Sequence, residues 1–236
     1  MNRVYAILLA AGRGSRMQSG TPKQFLEIAG RPMVCWSLQA FEESRTDEVI
    51  VVTGQEDLER MREIVDQYGF SKVRAVVAGG RERYDSVCAG VDALTGDDRD
   101  VVLIHDSARP MITPEKIDEV ITAARQTGAC ALAVPVKDTI RLADDEKMTA
   151  GDLERSRLRA MQTPQAFTLG LCRKAYALLR EEGMDRSGIT DDVMVMQRMC
   201  GIRSMLLEGD ERNIKVTTPA DLLIAEMYLK ERKTDR

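Results

Sequence analysis

The residues with the most chemical promise lie near the amino terminus, where Leu8-Leu9-Ala10-Ala11-Gly12-Arg13-Gly14-Ser15-Arg16-Met17 is followed by Pro22-Lys23-Gln24. An apolar run ends, small residues let the backbone approach a ligand, and Arg13, Arg16 and Lys23 follow closely. Backbone N–H groups of such a turn, at the carboxyl end of a strand and beside cations, suit a phosphate. The spacing is not that of two common phosphate loops. The Walker pattern needs G-x-x-x-x-G-K-[ST], and the dinucleotide fingerprint needs a third glycine where Met17 stands.

Further blocks carry polar chemistry: Ala78-Gly79-Gly80-Arg81-Glu82-Arg83 with Ser86, His105-Asp106-Ser107-Ala108-Arg109-Pro110, Pro135-Val136-Lys137-Asp138-Thr139, Gln162-Thr163-Pro164-Gln165-Ala166-Phe167, Thr190-Asp191-Asp192 and Asn213-Ile214-Lys215-Val216-Thr217. His105 is the single histidine and closes an apolar run, so it reads as a packed or capping residue with no catalytic role. Asp106 is placed to meet a phosphate-bound cation, or alternatively to cap backbone beside Ser107. Arg81 to Arg83 read either as a solvated charge run or, behind Gly79 and Gly80, as a pocket wall. Taken alone, Gln162 to Phe167 read as a proline-containing turn and Lys215 as a surface lysine.

Positioning these blocks requires strands that end where the blocks begin. Short apolar, β-branched runs at 4–9, 48–53, 72–77, 100–104, 129–134 and 204–208 read as strands, several without polar alternation, as strands covered on both faces should be. Between them Leu58, Met61, Val65 and Tyr68, then Val87, Val91 and Leu94, then Ile117, Val120, Ile121 and Ala124 repeat at helical spacing. Thr113-Pro114 and Thr218-Pro219, the latter with Asp221, are helix starts. The alternation predicts an α/β fold with a doubly wound, mostly parallel sheet.

Residues 137–159 break this rhythm. They are charged and poor in large apolar side chains, with a turn at Asp144 to Lys147. They read either as a solvated excursion or as an arm that packs on a second subunit. The expected organisation is a single domain over 1–236 with an arm at 137–159.

A chain of 236 residues can bury roughly 70% of its unfolded surface, so it needs no covalent staples. The five cysteines are scattered without a C-x-x-C pair, which disfavours a disulfide framework or zinc site and points to a reducing cytoplasm. Arg3 and the apolar run after it imitate a signal peptide, but the run reads better as the first core strand. No stretch has the length of a membrane span. A net charge of −4 and 4% aromatic residues argue against a nucleic-acid partner.

The first loop resembles the signature A-x-G-x-G-x-R-M…P-K of nucleoside-triphosphate transferases. The later blocks, in their order, resemble the methylerythritol phosphate cytidylyltransferases of isoprenoid-precursor synthesis. That resemblance implies a Rossmann-like nucleotidyltransferase fold with a protruding dimerisation arm, a homodimer, and Mg2+ or another divalent cation. It implies CTP and a small polyol phosphate as ligands, with ribitol 5-phosphate as the alternative acceptor. A non-catalytic nucleotide-binding regulator would share the loop but need no acceptor pocket.

By the same resemblance, Arg16 and Lys23 are catalytic, and Ala10, Ala11, Gly12, Gly14, Ser15, Gly80, Arg81, Arg83, Ser86, Asp106 and Ser107 hold CTP. Asp106 also meets the metal. Arg109, Asp138, Thr139, Arg155, Thr163, Thr190 and Lys215 hold the acceptor. The family commonly has Trp where this chain has Arg159, which leaves Arg155, Arg157 and Arg159 as rivals for the acceptor side. Arg155 has the family's spacing from Thr163.

Overall fold

The structure, a computed structural model, describes residues 2–12, 17 and 20–234. In chain order the strands are β1 (Val4–Ala10), β2 (Glu27–Ile28), β3 (Arg31–Pro32), β4 (Glu48–Thr53), β5 (Val73–Ala78), β6 (Val101–Asp106), β7 (Ala129–Pro135), β8 (Arg141–Ala143), β9 (Thr149–Asp152), β10 (Arg159–Thr168) and β11 (Met205–Glu208). The helices are α1 (Met33–Glu43), α2 (Leu58–Tyr68), α3 (Arg83–Asp92), α4 (Pro114–Thr127), α5 (Leu169–Arg180), α6 (Asp192–Cys200) and α7 (Pro219–Thr234).

Seven of these strands form one sheet in the order β11-β7-β10-β6-β1-β4-β5. Neighbours pair in parallel except β10, which runs antiparallel to both β6 and β7. Alternation along β1 explains the layers: Val4, Ala6 and Leu8 join a core with residues of α1, α2 and α4, whereas Tyr5 and Ile7 join one with residues of α3, α5 and α6. Both sheet faces are therefore covered, as the near-continuous apolar runs predict. The run after Arg3 is buried central strand. Among the described residues no helix is long and apolar enough to cross a membrane.

The helix starts follow their local chemistry. Thr113 Oγ1 accepts from Lys116 N at 3.2 Å with Pro114 at N1. At α7, Asp221 Oδ2 accepts from Thr217 N and Thr218 N, both at 2.8 Å, while Asp221 N donates to Thr218 Oγ1.

Two expectations need correction. The strand expected at 100–104 continues through Asp106, so His105 and Asp106 are strand residues. Gln162 to Phe167 are not a turn but part of β10, with a cis Thr163–Pro164 peptide and a register irregularity between Met161 and Gln165. The proline sits in that irregularity and the ladder resumes at Gln165.

Residues 137–159 contain the exposed antiparallel hairpin β8–β9. Its turn is held by Asp144, whose Oδ1 accepts from Glu146 N at 3.0 Å and Met148 N at 2.8 Å. Ile140, Leu142 and Met148 stand 41%, 50% and 64% exposed on this arm.

Candidate functional site

Two clefts open beyond the carboxyl ends of the strands, where the order reverses about β1. The first, about 680 Å3, runs along Ala10 to Gly12 after β1 and over Gly80 to Glu82 after β5, with Lys23 at its side. The second, about 520 Å3, lies beside β10 and is lined by Arg109, Thr163, Gln165, Thr190 and Asp191 among others. Arg83, Asp106 and Lys215 line both. The clefts thus share one charged wall.

Local sequence explains the first cleft. A Cβ on Gly79 would lie 2.6 Å from Ser86 Oγ and 2.8 Å from the Ala11 side chain, so only glycine lets these loops meet. Gly80 N donates to Ser86 Oγ at 3.2 Å, and Glu82 with Asp85 forms a capping box that starts α3 at the cleft. The start of α3 therefore borders the cleft, with the Glu82 and Asp85 carboxylates on its first N–H groups. Lys23, in a short 3-10 turn, donates to Val216 O at 3.5 Å.

The shared wall is a row of alternating charges. Lys215 Nζ meets Asp106 Oδ2 at 2.6 Å, and Arg83 Nε meets Asp106 Oδ1 at 3.2 Å. Arg83 Nη1 and Nη2 then pair with both oxygens of buried Asp192, at 2.9 and 2.8 Å. The Tyr176 hydroxyl donates to Asp192 Oδ1. Burial pushes the Asp106 carboxyl up, but Arg83 and Lys215 outweigh it and hold the group well below the usual carboxylate range. Burial likewise works against the Arg83 charge, and Asp192 with Asp106 overcomes it.

The second cleft is assembled by the buried amides of Gln162 and Gln165 on β10 and of Asn213 beyond β11. Gln162 Nε2 donates to Asp210 O at 2.8 Å, and Asn213 Nδ2 donates to Thr163 O at 3.0 Å, which holds the segment carrying Lys215. Gln165 Oε1 accepts from Asp192 N and Val193 N, both at 3.0 Å, and holds the start of α6. Arg109 Nη1 and Nη2 donate to Asn213 O and Met161 O, while its buried Nε has no partner in the structure.

His105 is wholly buried, packs edge-on against Phe41, and contacts Thr163 Oγ1 through Nδ1 at 3.0 Å and Arg109 O through Nε2 at 3.2 Å. Desolvation lowers its pKa to about 4, so the ring is neutral near pH 7 and its nitrogens are occupied. It is a packed residue, as its sequence context predicts. Among the described residues no group of three or more His, Cys, Asp or Glu could cage a metal ion. Both oxygens of Asp106 are engaged, Oδ1 by Arg83 and Oδ2 by Lys215, so a hard cation held there together with phosphate oxygens and water would have to take the place of the Lys215 contact.

The family of 2-C-methyl-D-erythritol 4-phosphate cytidylyltransferase, IspD, matches residues 4–231. The chain belongs to that family. Among curated relatives named for this activity, one from Caldanaerobacter subterraneus is 42% identical over 230 residues, covering 97% of this chain and 99% of the relative. One from Lachnospira eligens is 41% identical over 226 residues, covering 95% and 98%. The crystal structure of 4-diphosphocytidyl-2C-methyl-D-erythritol synthase from Anaerococcus prevotii superposes with a TM-score of 0.82 at 29% identity, covering 97% of this chain and 96% of that one.

Membership gives the residue pattern a frame. Of the residues that the cytidylyltransferase resemblance marks, Ala10, Ala11, Gly12, Lys23, Gly80, Arg81, Ser86 and Ser107 gather at the first cleft, and Arg109, Thr163 and Thr190 at the second. Gly14, Ser15 and Arg16, with Arg13, lie outside the described residues. Asp138, Thr139 and Arg155 do not reach either cleft of their own chain: all are exposed on the arm, and Arg155 Nη1 donates to Lys137 O at 3.3 Å. Arg157 pairs with Glu154, and Arg159 donates to Ser156 O and Leu158 O.

The sequence blocks include Asp192, Gln162, Gln165 and Asn213 but assign them no role in the site, and Tyr176 lies outside every block. One signal was legible. Asp191 and Asp192 are adjacent acids at a helix start, and only Asp191 serves as the N-cap, accepting from Met194 N at 2.9 Å. The second acid needed another partner.

Proposed function

We propose that this chain transfers the cytidylyl group of CTP to 2-C-methyl-D-erythritol 4-phosphate, releasing pyrophosphate. The observation that carries the reading is the wall of Arg83, Asp106 and Lys215 common to both clefts. A donor in one cleft and an acceptor in the other would meet across it. The nucleophile is a phosphate oxygen, largely deprotonated at pH 7 because a phosphate monoester has a second pKa of about 6. No general base is needed, which suits a site whose single histidine is buried and neutral.

The chemistry instead requires placed positive charge, since two polyanions approach and charge builds on the α-phosphoryl oxygens and the leaving group. One cation about 4 Å from one charge, at an effective dielectric of 20, contributes about 4 kcal/mol. Lys23, with Arg16 by the family signature, stabilises the triphosphate as it reacts. The backbone at Ala10 to Gly12, with Gly14 and Ser15 by the same signature, cradles phosphates. Gly80, Arg81, Ser86 and Ser107 hold the nucleoside side, while Arg109, Thr163, Thr190 and Lys215 hold the acceptor.

Asp106 would hold Mg2+, or another divalent cation, together with phosphate oxygens; the bound ion would neutralise charge on the triphosphate. Asp138, Thr139 and Arg155 serve the acceptor cleft of a second copy, so the working unit is a homodimer. Five free thiols suit a cytoplasmic setting.

Pyrophosphate release from CTP with each acceptor tests the reading. Release with methylerythritol phosphate and little with ribitol 5-phosphate is expected. Release with ribitol 5-phosphate only, or CTP binding with no release for either polyol phosphate, would overturn it.

A further inference from the structure

Asp192 lines neither cleft, yet it determines how the wall between them is arranged. It is fully buried at the first position of α6 and takes both terminal nitrogens of Arg83. Its own N–H is held by Gln165 Oε1 and one oxygen by the Tyr176 hydroxyl, so backbone and carboxylate are both fixed. A guanidinium that gives one hydrogen from each Nη to this fork is fixed in orientation and still has its Nε–H to offer in a different direction. Arg83 offers it to Asp106 Oδ1 at 3.2 Å.

That arrangement leaves Asp106 Oδ2 to Lys215 at 2.6 Å. One carboxylate is thereby shared between a cation anchored behind the wall and a cation on its surface. Without the clamp, the Arg83 fork would be free to turn and take both oxygens of Asp106, the geometry that guanidinium and carboxylate prefer. Lys215 would then lose its partner, and Asp106 would no longer present an oxygen to the clefts.

We propose that Asp192, braced by Tyr176, is a positioning residue for nucleotidyl transfer, acting through Arg83 to fix Asp106 and Lys215 between donor and acceptor. The inference rests on the cytidylyl-transfer reading of the clefts. It adds a residue that touches no substrate. Because Asp192 acts only through Arg83, its effect must vanish when Arg83 can no longer be clamped.

A double-mutant cycle tests this, with Asp192→Asn, Arg83→Met and the pair assayed below their unfolding temperatures. Asp192→Asn should lower kcat on the order of 10- to 10²-fold, the scale of a lost charge-assisted contact, while KM for CTP changes less than about threefold. In the Arg83→Met background the same change should alter kcat less than about threefold. A merely structural Asp192 would lower the Tm without this coupling. Retained kcat in folded Asp192→Asn, or an undiminished effect in the Arg83→Met background, would overturn the proposal while leaving wild-type transfer intact. If Asp192→Asn does not fold, Tyr176→Phe replaces it: a kcat loss of roughly two- to fivefold that disappears with Arg83→Met supports the clamp, and an unchanged kcat sinks it.

Discussion

The wall between the clefts and the arm at 137–159 both carry residues marked for the acceptor, but they are built on opposite principles. The wall is complete within one chain: Asp106 is one-tenth exposed, Asp192 is buried, and every charge in the row has a partner of opposite sign. The arm is a two-stranded hairpin whose strands are exposed along their length. One side-chain tie at its base is the Lys137–Glu211 ion pair, between two exposed side chains and of little energetic weight. A charge meant to act on its own cleft is desolvated and clamped; Arg155 is neither. The contrast agrees with the proposal that the arm's residues are completed by a second copy of the chain.

The largest effect should come from the self-sufficient side. Lys23→Ala is expected to reduce kcat on the order of 10²-fold or more, because a cation beside the reacting phosphates acts in the transition state. Steady-state pyrophosphate release measures it. Near-normal turnover would remove Lys23 from the chemistry and weaken the assignment of the first cleft.

Next comes the arm. Replacing Ile140, Leu142 and Met148 together by Ser should halve the mass seen by light scattering and lower kcat/KM for the acceptor roughly 10- to 10²-fold, since Arg155 and its neighbours leave the partner's cleft together. Mixing Lys23→Ala with Arg155→Ala sharpens the point. Each hybrid dimer then holds one intact cleft served by one intact arm, and activity should recover to about a quarter of wild type. No recovery would mean that Arg155 acts on its own chain or not at all.

The same contrast governs what the sequence made legible. Strands β1, β4, β6 and β7 declare themselves because both faces are buried, so their composition carries the signal, while the half-buried edge strand β5 does so through its run of valines and alanines. β10 does not, because Gln162, Thr163, Pro164 and Gln165 read as a polar turn; their amides are buried only because two distant loops supply the partners. The loop after β1 was legible because phosphate chemistry constrains a contiguous stretch. Asp192 was not, since its meaning depends on Arg83, which lies 109 positions away. Arg159, expected as a departure near the acceptor, instead binds carbonyls of the preceding turn.

A smaller effect should separate binding from turnover at the junction. Lys215 is held by Asp106 but remains 39% exposed toward the clefts, so it has reach for an incoming phosphate. Lys215→Ala should raise KM for methylerythritol phosphate about tenfold, within the worth of one charged hydrogen bond, and move KM for CTP much less. Equal weakening of both substrates would place Lys215 on the donor side, and unchanged constants would take it out of the site.

The smallest effects compare the two regions by stability alone. Thr113 caps α4 within the packed body, so Thr113→Ala should cost about 1 kcal/mol and lower Tm by roughly 2–4 °C in a chain of this size. Asp144 makes two comparable backbone hydrogen bonds at the tip of the arm. There the hairpin carries no core of its own, and Asp144→Ala should fall within about 0.5 kcal/mol, near the noise of a thermal melt. The two capping interactions are chemically alike, so a difference between them measures how strongly each region is coupled to global unfolding. Equal losses at both positions would show that the arm unfolds with the body, and the division between a finished wall and an unfinished arm would then have to be redrawn.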